Sequence, residues 1–214
     1  MIKKGDTLIE VAIAIGVFSV IAISVVSVMS SGTSSAQLAL ETTLAREEID
    51  SQAESLRFIH DTYVSSGEGI WETITGNAVE ASGDVMQYSP ETCVELYDDE
   101  NPTYGYAFVI NPRKISDANS AYVKLSDNTD KIVPATTYPR LIFDDSGKLT
   151  DDYSNTDLYR AEGIYVVAVK GEAADTPSYY DFYIRSCWYG TGNEEPSTIS
   201  TVIRLHNPDY KFSD

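Results

Sequence analysis

Hydrophobic and polar positions divide this chain into three regimes. Residues 11–29 form a run of 19 residues without a charged side chain. As a helix that run is about 28 Å long, against a bilayer hydrocarbon core of about 30 Å. Ser19, Ser24, Ser27 and Gly16 interrupt it without spoiling it, because hydroxyls can bond back to the preceding turn. Beyond Gly32 the apolar residues thin to a stripe. Leu38, Ala45, Ile49, Ala53, Leu56, Ile59 and Tyr63 recur at spacings of 7, 4, 4, 3, 3 and 4. That is one face of a helix, and Glu41, Arg46, Glu47, Asp50 and Glu54 fall off it. A single helix is expected from about Thr7 to Tyr63, bent or locally melted at Gly32 among its serines, and ended by Ser65-Ser66-Gly67.

From Gly67 the helical period is lost. Residues 68–86 carry turn signals at Gly76-Asn77 and Ser82-Gly83, with Ile70, Trp71 and Ile74 expected to pack on the helix. Asp98-Asp99-Glu100-Asn101-Pro102 reads as a loop, and residues 104–110, 121–125 and 140–143 as short strands. Residues 163–170 and 179–189 flank a polar loop with Gly171 and Pro177, the pattern of a hairpin. In its second arm Tyr180, Phe182, Ile184 and Trp188 share a face, with Asp181, Tyr183, Arg185 and Cys187 opposite. Residues 198–205 alternate, placing Ile199, Ile203 and Leu205 against Ser200 and Arg204. The expected fold class is α+β: a long N-terminal helix, one half membrane-spanning and one half amphipathic, packed on an antiparallel β-sheet head.

Composition narrows the function classes. The 214 residues are 43% hydrophobic and 11% aromatic, with 15 tyrosines, enough for the head to bury a core. A net charge of −18 argues against nucleic acid, which needs clustered Lys and Arg, and against a head lying on anionic lipid. There are two cysteines, Cys93 and Cys187. Beyond a membrane segment an oxidising compartment favours their pairing, which would close a loop of about 95 residues worth about 4–5 kcal/mol in the chain-entropy model. Two unrelated buried thiols are the alternative.

Little in the chain points to catalysis. His60 and His206 are the only histidines, and His60, beside Ile59, reads as a packing or boundary residue. Zinc spacings, nucleophile elbows and phosphate-binding glycine loops are absent. Asp127-Asn128-Thr129-Asp130 and Asp144-Asp145-Ser146-Gly147 are acidic turns that do not follow the 12-residue calcium loop. No catalytic residue, metal or cofactor is expected.

The specific feature lies ahead of the apolar run, at Lys3-Lys4-Gly5-Asp6-Thr7-Leu8-Ile9-Glu10. The two lysines mark an N-terminus that stays in the cytoplasm. Glu10 is a carboxylate placed where lipid should be, and such a group is costly unless a partner relieves it. Gly5 followed by this junction and an apolar helix resembles the leader region of type IV pilins and of the pseudopilins of type II secretion and DNA uptake. The motif covers about 25 residues, and the helix-plus-sheet plan extends the resemblance more loosely over the whole chain.

The resemblance implies cleavage after Gly5 by a membrane-embedded prepilin peptidase, with methylation of the new amine at Asp6. Where the family carries Phe or Met at that position, this chain has Asp6. Glu10, the fifth mature residue, would pair with the N-terminal ammonium of its own or a neighbouring subunit during assembly. Residues 1–5 would then be the leader, 6–29 the transmembrane and filament-core half of the helix, 30–65 its amphipathic half, and 66–214 the head. Removing the leader moves the net charge from −18 to −20. Implied partners are other pilin subunits, the peptidase, the inner-membrane assembly platform and, before assembly, lipid. The location implied is the cytoplasmic membrane with the head outside, then a surface pilus or pseudopilus. Two rivals remain open: a membrane-anchored surface binding protein that never polymerises, and a secreted protein cleaved near Ala36.

Overall fold

The structure is a computed structural model that describes residues 6–81, 104–115, 121–127, 132–133, 135–143, 158–172, 175–190 and 194–211. A first helix, α1, runs Asp6–Ser66. It contributes to two compact units, Met1–Leu40 and Glu41–Asp214.

In the first unit α1 is long and apolar enough to cross a membrane, and none of that apolar stretch is buried by the protein itself. Its hydroxyls do bond back. Ser19 donates to the Ile15 carbonyl and Ser24 to the Val20 carbonyl, each at 2.8 Å. Of the bend or local melting expected at Gly32, the melting does not occur. The segment is helical throughout, and Thr33 and Ser35 donate to the Met29 and Ser31 carbonyls at 2.8 and 3.1 Å. Leu38, assigned to the buried stripe, is exposed.

In the second unit the stripe is as read from the spacing. Ala45, Ile49, Ala53, Leu56, Ile59 and Tyr63 are all buried. The helix stops at Gly67, which takes φ +69 and donates to the Tyr63 carbonyl at 2.8 Å; a left-handed glycine at this place closes the last turn without a Cβ clash. A one-and-a-half-turn helix follows, α2 (Trp71–Gly76), whose Trp71 and Ile74 are buried.

Among the described residues the unit also has the strands β1 (Phe108–Ile110), β2 (Tyr122–Lys124), β3 (Ile132–Val133), β4 (Arg140–Phe143), β5 (Leu158–Glu162), β6 (Ile164–Lys170), β7 (Tyr179–Trp188) and β8 (Ser197–His206). They form a five-stranded antiparallel sheet, β2-β1-β6-β7-β8, and a three-stranded sheet, β3-β5-β4. The expected hairpin is β6–β7, in register from Ile164↔Ser186 to Lys170↔Tyr180. The expected strand at 140–143 is β4, but it belongs to a second sheet that the spacing does not indicate, and the β3–β5 pair there is parallel, so the head is not purely antiparallel.

Helix and larger sheet share one core. Ile49, Ala53, Leu56 and Ile59 of α1, with Trp71 and Ile74 of α2, pack against Phe108, Val166, Phe182 and Ile184. The opposite sheet face is covered as well. Tyr165, Val167 and Val169 cluster with Val109, Val123 and Ala161. Burial on both faces is why β6 reads as a continuous apolar run rather than an alternation. It also corrects the polar character given to one face of β7, since Arg185 and Cys187 are buried there. Arg185 lies 5.2 Å from the Tyr183 ring centroid.

Two joints hold the strands in place. Gly163, between β5 and β6, has φ +61, and a Cβ there would stand 2.0 Å from the Cys187 carbonyl oxygen. The second joint is α1 itself. Gln52, fully buried, donates from Nε2 to the Ile110 carbonyl and accepts the Ile110 N–H, both at 2.8 Å. One side-chain amide thus does for β1 what a neighbouring strand would do. Glu41, placed by spacing on the polar face, is instead buried and accepts the Trp188 indole N–H at 3.1 Å. Glu48 accepts the Leu141 N–H of β4.

Burial raises the Glu48 carboxyl above its ordinary value; the Leu141 N–H opposes the rise, and neighbouring Glu47 adds to it. The folded state therefore holds the Glu48 proton more tightly than the unfolded chain. Its contribution to stability is greatest below the ordinary value of 4.5 and is lost as pH rises through the higher folded value. Glu48→Gln keeps the acceptor and removes the charge. Its Tm in detergent micelles is expected to exceed that of the parent at pH 7 by roughly 1–4 °C, with the gain gone at pH 4. Gln52→Met keeps the volume and strands two backbone groups. It is expected to cost about 2–4 kcal/mol in urea unfolding followed by near-UV circular dichroism, and a loss under about 0.5 kcal/mol would remove Gln52's joining role.

Candidate assembly site

The element singled out by sequence is the first two turns of α1 and the apolar stretch after them. Gly5 lies outside the described residues, and α1 begins at Asp6. Glu10 is four residues on, one helical turn away, and is exposed. Residues four apart share a helix face, so Glu10 stands on the same face as Asp6, one turn later.

Beyond Glu10 no charged residue occurs until Glu41. Leu8, Phe18, Ile23 and Val28 are each at least 70% exposed, around the full circumference of the helix. An apolar surface of this extent needs lipid or other protein against it. Gly16 and Gly32 have nothing within 4 Å of where a Cβ would sit, so this chain's own packing does not require either. Small residues at open places on an apolar helix let a second helix approach closely.

The other residues marked in the sequence sit elsewhere. Cys187 is buried in β7 and disulfide-bonded, while Cys93 lies outside the described residues. The acidic turn at 144–147 is also outside them, as is most of 127–130. Among the described residues no group of three or more His, Cys, Asp and Glu side chains is placed to hold a metal ion. His60 is a packing residue as read: its ring meets Trp71 edge-on at 5.0 Å. Its contact with the other histidine was not legible. His60 Nε2 lies 3.0 Å from the His206 carbonyl oxygen, 146 residues along the chain.

Against known proteins, no family model, no curated sequence and no solved structure matches this chain.

Proposed function

We propose that this chain is a type IV pilin-like subunit, cut after Gly5 by a prepilin peptidase and assembled through α1 into a surface pilus or pseudopilus. The observation that carries this reading is the junction Gly5-Asp6-Thr7-Leu8-Ile9-Glu10, set one helical turn ahead of an exposed apolar helix. Before assembly residues 11–29 lie in the cytoplasmic membrane, the head faces outward, and lipid covers the side chains that the protein leaves bare. In the assembled polymer neighbouring helices replace that lipid.

Glu10 supplies the register. A carboxylate among hydrocarbon is stabilised by a complementary ammonium, and the new amine at Asp6 is the one that cleavage creates. Pairing of Glu10 with a neighbour's amine offsets its desolvation at one axial offset between subunits and at no other. The Asp6 carboxylate is adjacent to the same amine and competes for it, which weakens the pair relative to a subunit with an apolar first residue. The head contributes acidic surface outside this core, and a Cys93–Cys187 disulfide staples it. The assembly platform and sibling subunits are the partners, and no catalytic step is assigned to the chain.

Mass spectrometry of the mature N-terminus tests the processing step. A start at Asp6 is expected; a start at Gln37 would overturn the assignment in favour of a secreted protein, and an intact Met1 in favour of a simple anchor. Glu10→Ala tests assembly. The variant is expected to keep a folded head and normal membrane insertion but to be lost from sheared filaments by at least about tenfold, a difference of roughly 1.4 kcal/mol in incorporation. Unchanged incorporation would strip Glu10 of its role.

A further inference from the structure

The strands at the margins of the two sheets differ in how they are finished. β2, β3 and β4 are three, two and four residues long, and Glu48 takes up the Leu141 N–H of β4. β8 forms the remaining margin, beside β7 in the order β2-β1-β6-β7-β8. It is ten residues long and pairs with β7 residue for residue, from Tyr179↔His206 to Trp188↔Ser197, without a bulge. Sheet margins are protected from further pairing by shortness, proline, a bulge, lysine or a covering element. Among the described residues β8 has none of these between 198 and 204.

The ladder shows which backbone groups this margin leaves open. Asn207 N–H donates to the Ser178 carbonyl at 2.9 Å, and in an antiparallel pair such bonded positions recur at every second residue. Residues 199, 201, 203 and 205 therefore bond to β7, while the N–H and C=O of Thr198, Ser200, Val202 and Arg204 point away from the sheet. Among the described residues no hydrogen bond reaches those groups. Both ends of the open stretch are closed. Pro196 has no N–H to offer. At the other end His60 Nε2 donates to the His206 carbonyl at 3.0 Å, and Tyr63 donates to Asp209 Oδ2 of the following turn at 2.9 Å. The open groups are thus centred on Thr201.

We propose that β8 docks the β8 of a second copy of this chain, antiparallel about a two-fold axis at Thr201, so that the two five-stranded sheets become one. In that register Thr198 is opposite the partner's Arg204 and Ser200 opposite the partner's Val202. Each such pair exchanges two hydrogen bonds, and together they use every open group. Between them Ile199 meets the partner's Ile203 and Thr201 meets its own counterpart, β-branched pairs that stabilise a ladder. Moving the axis by one residue sets Arg204 against Pro196 or Thr198 against the occupied His206 carbonyl, so the edge is complementary to itself in this register alone. Charge favours the same occupant. The chain carries −18, yet Arg204 is the one charged residue in 197–205. Its guanidinium is neutralised by both Asp181 oxygens at 2.8 Å and lies 3.8 Å from the Tyr179 ring centroid. Two copies meeting along β8 therefore set no like charges opposite each other. The heads make this contact without α1, so it and pilus assembly can each fail without the other.

Disulfide trapping in the full chain, held in detergent micelles at fewer than one chain per micelle, tests the pairing, with the joined peptides identified by mass spectrometry. Pairing about Thr201 brings the two copies of position 201 opposite each other, with Cβ atoms about 4.5–5.5 Å apart. It leaves the two copies of position 197 roughly 27 Å apart. Under mild oxidant Thr201→Cys is expected to cross-link at least about tenfold more than Ser197→Cys. Adding Ser200→Pro deletes an outward N–H and no bond to β7. It is expected to cut the Thr201→Cys cross-link at least about tenfold with the near-UV circular dichroism of the head unchanged. Adding Glu10→Ala instead is expected to leave the cross-link intact. Absence of a cross-link at 201, equal cross-linking at 197, survival of the cross-link in Ser200→Pro or its loss in Glu10→Ala would each overturn the proposal. Should Ser200→Pro disturb the head, Val202→Lys takes its place, because lysine on an open margin opposes strand addition. The same loss is expected there, and undiminished cross-linking would equally end the proposal.

Discussion

Strands end with backbone groups that must find partners, and in this protein α1 provides several of them. A buried N–H or C=O left without a hydrogen bond costs about 1–3 kcal/mol, comparable with the whole advantage of a well-placed apolar side chain. Gln52 satisfies both groups of Ile110, Glu48 the Leu141 N–H of β4, and Glu41 the indole of Trp188. These positions, 41, 48 and 52, recur on one side of the helix, next to the apolar stripe that meets the sheet. Apolar packing alone would tolerate sliding of a helix over a sheet. Polar contacts to named backbone atoms allow one register.

That constraint separates the two ends of α1 by physical character. From Glu41 onward the helix is committed to its own head, through buried alanines and β-strand partners. Before Glu41 it is charge-free back to Glu10, and its apolar span is not buried among the described residues. The same covalent helix is thus a structural member of one unit and an unsatisfied surface in the other. Assembly through this helix, as proposed, would use this division, since residues that bind the head are unavailable for binding neighbours.

The head is held by burial on both faces of its larger sheet. β6 and β7 lie at its centre, and the connection from β5 into β6 passes through a left-handed glycine pressed against the Cys187 carbonyl. Cys187 N–H returns a hydrogen bond to the Gly163 carbonyl at 2.8 Å. A disulfide at Cys187 therefore anchors the strand that pairs with β6, the middle strand of the sheet.

Period and charge by themselves determined the long helix, the stripe from Ala45 to Tyr63, the β6–β7 hairpin, the alternation of β8, and the anomaly of Glu10. Each of these depends on neighbours within a turn or a strand, so local spacing is enough. Only the tertiary structure decided that Glu41 faces inward, that Gly32 stays helical, that Arg185 is buried, and that residues 132–133 and 158–162 pair in parallel. Glu41 turns inward because Trp188, 147 residues away, presents an N–H needing an acceptor. The short β3 and β5 form because sheet partners distant in sequence supply hydrogen bonds that two to five residues cannot supply alone. The junction of His60 and Tyr63 with the last turn was hidden for the same reason: hydrogen bonds between groups about 146 residues apart leave no periodic trace in the chain.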